Sequence, residues 1–189
     1  MDKILNEYIK NLTALVASIN QNTLLKFIDL LEVTRQQHKT IFVCGNGGST
    51  ATVNHFVCDL GKNAISTNDT RFKIISLCDN IETITAFGND LGFENIFVER
   101  LHNLISPGDL LMALSASGNS PNILKAAHYA HSNNCNVLSM TGYDGGKLKT
   151  LSDCNINIDS NIIEQIEDLH LIIEHMIVYH YKRHIKTNL

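Results

Sequence analysis

Thr40-Ile41-Phe42-Val43-Cys44-Gly45-Asn46-Gly47-Gly48-Ser49 is the stretch that decides the fold. Its first half is a short, continuous apolar run, the pattern of a strand buried on both faces. Its second half is rich in glycine, ends on a hydroxyl, and leads into a helical stretch near residues 50–60. A strand that closes on small residues and turns into a helix makes an anion seat. Glycine lets the backbone approach, N–H groups point outward, and the helix N-terminus adds partial positive charge.

The same construction recurs further on. The apolar run Asp109–Leu114 ends in Ser115-Ala116-Ser117-Gly118-Asn119-Ser120, and Pro121 then stands at a favoured first-turn position of the next helix. A plain helix cap needs one of these serines. Three hydroxyls with free N–H groups can wrap a phosphate dianion without any Lys or Arg. The first loop is not the dinucleotide fingerprint: it lacks GxGxxG, and Leu77-Cys78-Asp79 is the nearest thing to a ribose-binding acid, which leaves nucleotide binding a weak second reading.

Outward from these loops, strand and helix alternate. Further strands are read at Phe72–Cys78, Asn136–Met140 and Cys154–Ile158, and helices near 81–87, 94–105, 121–132, 146–151 and 162–184. Alternation of this kind predicts an α/β fold: a five-stranded parallel sheet with helices on both faces, a three-layer sandwich. Ligands of such sheets sit beyond the carboxyl ends of the strands, where both loops lie. Ser66-Thr67-Asn68-Asp69-Thr70 reads as a polar loop. Two amphipathic helices, 3–19 and 22–37, precede the sheet. With Ile4, Leu5, Tyr8, Ile9, Leu12, Leu15, Val16 and Ile19 on one face, the first would expose an apolar stripe if left alone. Residues 1–38 are therefore expected as a helical extension that packs against a second subunit, and 39–189 as one α/β unit.

At 189 residues with 44% hydrophobic and 18% charged side chains, the chain has the composition of one globular domain. No apolar run approaches the ~18 residues of a membrane helix, and the amphipathic start lacks a signal-peptide core, so no membrane partner and a cytoplasmic location are expected. A net charge of −4 argues against nucleic acid as a partner. The basic tail, Lys182-Arg183-His184 with Lys186, reads as a solvated helix end. The five cysteines have no CxxC spacing and read as buried free thiols.

Two helices carry acid–base chemistry. His55 and Asp59 are spaced i,i+4 after the first loop and share a face. On the last helix Glu167 and His175 are eight apart, a little over two turns, with His170 between them. A carboxylate and an imidazole on each of two helices is the inventory of a metal site or of an acid–base site. Any one such pair is commonly just a surface ion pair.

At these residues the chain resembles the phosphoheptose isomerases, the sedoheptulose 7-phosphate isomerases of the sugar-isomerase (SIS) fold. The resemblance is carried by Cys44–Ser49 with His55-Phe56 and Asp59-Leu60, by Gly88-Asn89-Asp90 with Gly92-Phe93, and by the serine loop Ser115–Ser120. The turn Thr141-Gly142-Tyr143-Asp144-Gly145-Gly146, Glu167-Asp168-Leu169-His170 and His175 extend it over nearly the whole chain. The resemblance implies an aldose–ketose isomerase working through an enediol for heptose and surface-polysaccharide synthesis, as a homotetramer with sites at subunit interfaces. It implies Asp59 and His175 as the catalytic pair. It implies substrate contacts from Asn46, Gly47, Gly48, Ser49, Asp90, Ser115, Ser117, Ser120 and Glu167. It implies zinc at His55, Asp59, Glu167 and His175, the metal positions of zinc-bound members.

Three positions depart from the family pattern. The family's catalytic Glu is Asp59, one methylene shorter, and moving a base by ~1 Å can cost about a hundredfold in rate. The family's Gln is Glu167, which adds charge for a cation. The family's Arg after its catalytic Glu has no counterpart in register, Lys62 being the nearest cation. The resemblance also carries non-catalytic alternatives, since SIS-fold relatives serve as partners of the replication initiator DnaA, and a phosphosugar sensor needs no turnover. His175 speaks for catalysis.

Overall fold

The computed structural model describes residues 2–65 and 70–187; the polar loop expected at Ser66–Thr70 lies almost wholly outside them. The chain opens with helices α1 (Lys3–Ala17) and α2 (Gln21–Gln36), then alternates β1 (Thr40–Gly45), α3 (Gly48–Asn63), β2 (Lys73–Ser76), α4 (Ile81–Leu91) and α5 (Ile96–Leu104). It continues through β3 (Leu110–Ser115), α6 (Pro121–Ser132), β4 (Asn136–Gly142), α7 (Gly146–Leu151), β5 (Cys154–Ile158) and α8 (Ile163–Thr187). A 3-10 turn, Phe93–Asn95, replaces the start expected for the fifth helix, because Gly92 at φ 92° ends α4 just before it. The second strand is shorter than the apolar run suggests: pairing ends at Ser76, and Leu77 adds one more bond, to the Val43 carbonyl.

The five strands are all parallel, in the order β2-β1-β3-β4-β5. β1, β3 and β4 occupy the middle, and their apolar residues are buried along almost their full length. This explains why they read as unbroken runs rather than alternating ones. The order reverses direction between β1 and β3. At such a switch point the two following helices leave on opposite faces and open a crevice above the strand ends. The helix after β1 is α3, packed on β1 and β2 and against α8; the helix after β3 is α6, packed on β3 and β4 and against α5 and α7. The two glycine–serine loops are therefore neighbours across the crevice.

α2 packs on β1 and β5 and places Leu24, Phe27, Ile28 and Leu31 in the same core as the sheet. α1 buries none of its residues and is held to α8 by the Tyr8 hydroxyl donating to Asp168 at 2.5 Å. That bond, with some burial, pushes the Tyr8 phenol up to about 12. Of the expected stripe, Ile4, Leu5 and Ile9 remain exposed, whereas Leu12, Leu15 and Ile19 pack against the core of the same chain. All five cysteines are free, with Cys58 exposed and the other four buried. No helix among the described residues is long and apolar enough to cross a membrane.

Candidate active site

Above the switch point lies a cavity of about 370 Å³. Asn46, Gly47, Gly48 and Ser49 line it from the first loop, Ser115, Ser117 and Ser120 from the second, and Tyr143 and Glu167 close it. All the expected substrate-contacting residues except Asp90 are thus brought to one place. Asp90 is exposed on α4, accepts a hydrogen bond from its neighbour Asn89, and is not among the residues lining the cavity within a single chain.

The second loop is shaped for an anion. Ser120 is the N-cap of α6, yet its side chain caps nothing. Its hydroxyl faces that of Ser115 at 3.4 Å instead, so both are available to a ligand at the helix N-terminus. Gly118 holds φ 60°, and a Cβ there would lie 1.9 Å from the Gly145 carbonyl oxygen. The turn Thr141–Gly146 packs directly behind the serine loop. Gly142 N–H donates to the Ala116 carbonyl, Leu148 N–H to that of Gly118, and Lys147 N–H to the Asn119 amide oxygen. Gly118 and Gly146 are explained by this backbone-to-backbone approach, a Cβ on Gly146 running into the Ser117 carbonyl oxygen.

The two loops are also bonded to each other. Asn46 and Asn122 exchange reciprocal amide hydrogen bonds of 2.9 and 2.8 Å, and Asn122 also accepts from Ile123 N–H. Asn122 is buried and had no signal of its own in the sequence, beyond standing second in the first turn of α6. Its role depends on β1 lying beside β3.

A second group of side chains forms where α3 meets α8. One donor atom from each of His55, Asp59 and His175 lies within 4.8 Å of the other two. His55 Nε2 is 3.0 Å from His175 Nε2 and 3.5 Å from Asp59 Oδ2. Two imidazole nitrogens and a carboxylate oxygen converge on one point, which is a donor set that suits zinc. The residues fit a divalent cation in that sense. Glu167, expected as a further ligand, is not in this group. Its carboxylate sits over Gly48, where a Cβ would meet Oε1 at 2.7 Å. Eight residues of helix separate it from His175, about 12 Å along the axis.

Beneath the cluster, α8 carries two buried ionisable groups. His170 approaches the Thr141 carbonyl through Nε2 at 3.3 Å, so the neutral ring holds its proton there. Burial lowers its pKa from 6.5 to about 4, against a smaller opposing effect of that bond. Glu174 is fully buried, and neither carboxylate oxygen has a hydrogen-bond partner among the described residues. Burial first, and the Asp59 charge second, push it up to about 9. Glu174 escaped the sequence reading although a signal existed. It falls at helical spacing on the same face as Ile166, Leu169, Ile173 and Ile177, an acid inside a buried stripe.

The SIS domain family matches residues 7–142. A phosphoheptose isomerase of Aliarcobacter butzleri is 35% identical over 164 residues, which span 87% of this chain and 86% of the relative. The chain belongs to the phosphoheptose isomerase family. A Helicobacter pylori phosphoheptose isomerase is 33% identical over 97% of this chain and 96% of its own. The solved phosphoheptose isomerase from Francisella tularensis, at 26% identity, superposes with a TM-score of 0.88 over 97% of this chain and 100% of that one. The family resemblance and its SIS-type three-layer fold thus hold over nearly the whole length, leading helices included.

Proposed function

We propose that this phosphoheptose isomerase family member interconverts sedoheptulose 7-phosphate and D-glycero-D-manno-heptose 7-phosphate through an enediol, supplying heptose for surface polysaccharide. The observation that carries the reading is the arrangement along α8. Its Glu167 lines a serine-rich cavity of about 370 Å³, and its His175 faces a carboxylate and an imidazole from α3. One ligand spanning the two has its phosphate held and its sugar end beside proton-transfer groups.

In this reading Ser115, Ser117 and Ser120 hold the phosphate with the α6 N-terminus, and Asn46, Gly47, Gly48, Ser49 and Glu167 orient the sugar chain. Asp59 takes the proton from the carbon next to the carbonyl and returns it to the neighbouring carbon. His175 moves the proton between the two oxygens. His55, Asp59 and His175 would hold the zinc ion, which when bound supplies Lewis-acid stabilisation of the developing oxyanion. The exposed stripe of α1 supports assembly into a homotetramer, in which a neighbouring chain could bring Asp90 to the site. A sugar-phosphate metabolite as substrate supports a cytoplasmic location.

The test is incubation of the pure protein with sedoheptulose 7-phosphate, with zinc and after chelation, following the aldose phosphate and exchange of the transferred proton in deuterated water. Asp59→Asn should stop exchange while phosphosugar still binds. No product with or without zinc, despite tight binding, would replace this reading with that of a phosphosugar sensor.

A further inference from the structure

The buried stripe of α8 is interrupted by one acid. Glu174 has no exposed surface, and both its oxygens lack a hydrogen-bond partner among the described residues. A buried acid whose oxygens have no hydrogen-bond partner costs the fold stability, and replacing it with an apolar residue would relieve the cost. Its position says what it would pair with. It directly precedes His175 on α8, which packs against α3, the helix that carries His55 and Asp59. It therefore borders the only group of potential metal ligands found among the described residues.

We propose that Glu174 is a ligand of the divalent cation gathered by His55, Asp59 and His175, in the place that Glu167 does not fill. The inference rests on the cation reading of that cluster. Three donors leave a tetrahedral ion one ligand short, and zinc accepts a fifth during catalysis. A second carboxylate balances the double charge of the ion, and the ion supplies the positive partner that Glu174 lacks. Glu174 also has the longer side chain, restoring the reach that Asp59 gives up. Its oxygens lie outside the existing three-residue group, so binding turns the side chain about its own bonds. Glu167 is differently placed, over Gly48 in the cavity.

The experiment is a zinc titration of the chelator-stripped full chain against a chromophoric competitor, for wild type, Glu174→Gln, Glu174→Met and Glu167→Gln. Loss of Glu174 should weaken zinc binding by about a hundredfold, at or beyond the upper end of what loss of an outer-shell partner costs. Glu167→Gln should leave the affinity unchanged. Metal-free melting provides the second readout: both Glu174 variants should unfold at or above the wild-type temperature, yet lose its zinc-dependent rise. Wild-type zinc affinity in either Glu174 variant would overturn the proposal and leave the three-residue cation site standing. A wild type that binds no zinc would overturn both.

Discussion

His170 makes the fold acid-sensitive in a window that can be worked out from its surroundings. The ring is buried, with 1% of its surface exposed, and its Nε2–H donates to the Thr141 carbonyl at 3.3 Å. In the unfolded chain it takes a proton at about 6.5; in the fold, burial delays this to about 4. Its folded pKa is the lower one, so as pH falls the unfolded chain binds the proton first. Stability is whole above about pH 7 and is lost as pH falls from 6.5 towards 4, below which the loss is constant. At pH 5 the unfolded ring is 1.5 units below its pKa while the folded ring is still neutral, which amounts to about 2 kcal/mol. The limiting loss is about 3 kcal/mol.

The assay is urea unfolding of the metal-free protein at pH 7, 6 and 5 and a fixed protein concentration, for wild type and His170→Gln. A glutamine amide can still donate to Thr141, and the comparison uses each protein's own change with pH. Glu174 works in the opposite sense: its folded pKa is raised from 4.5 to about 9, so its penalty grows as pH rises through that range. It is present in both proteins and cancels in the difference. Wild type should lose about 2 kcal/mol more than the variant between pH 7 and 5. Equal losses would refute the reasoning, because a ring that titrates alike in both states cannot be held neutral by burial.

Three further outcomes follow from the site and the leading helix. Gly118→Ala should lower the melting temperature and abolish phosphosugar binding together, since its Cβ would stand 1.9 Å from a backbone oxygen at φ 60°; binding at wild-type strength would show the loop–turn contact to be dispensable. Ser117→Ala should weaken sugar-phosphate binding about tenfold, the worth of a hydrogen bond to a charged group, with the melting curve unmoved; calorimetry giving an unchanged affinity would remove that hydroxyl from the site. Ile9→Asp should shift the protein to a smaller assembly by light scattering, because Ile9 is 53% exposed in the single chain and lies on the unpartnered stripe of α1; an unaltered mass would place the subunit contacts elsewhere.

Local physics accounts for what was legible in the residues alone. Continuous apolar runs at Thr40–Cys44 and Asp109–Leu114 report strands covered on both faces, so the parallel sheet could be read without coordinates. Glycine and serine at the strand ends, and Pro121 after the second loop, report strand-to-helix turns, so the two loops could be read too. The i,i+4 pair His55 and Asp59 needs only helix geometry, and it is together in the structure at 3.5 Å.

What depended on the tertiary structure is everything that joins distant segments. The order β2-β1-β3-β4-β5 sets the two loops side by side, and with it the Asn46–Asn122 pair, which no local period encodes. Glu167 and His175 share a helix face by periodicity, but two turns of rise separate them, so Glu167 lines the cavity while His175 stands with His55 and Asp59. Whether an acid on a helix meets water or a core is decided by what packs against it. Glu174 stands on the buried face of α8, and packing there turned an ordinary glutamate into a buried acid with no hydrogen-bond partner among the described residues. Sequence by itself determined the layers and the loops, because those obey short-range sterics and periodicity; the strand order and the company each acid keeps were decided by packing across the whole chain.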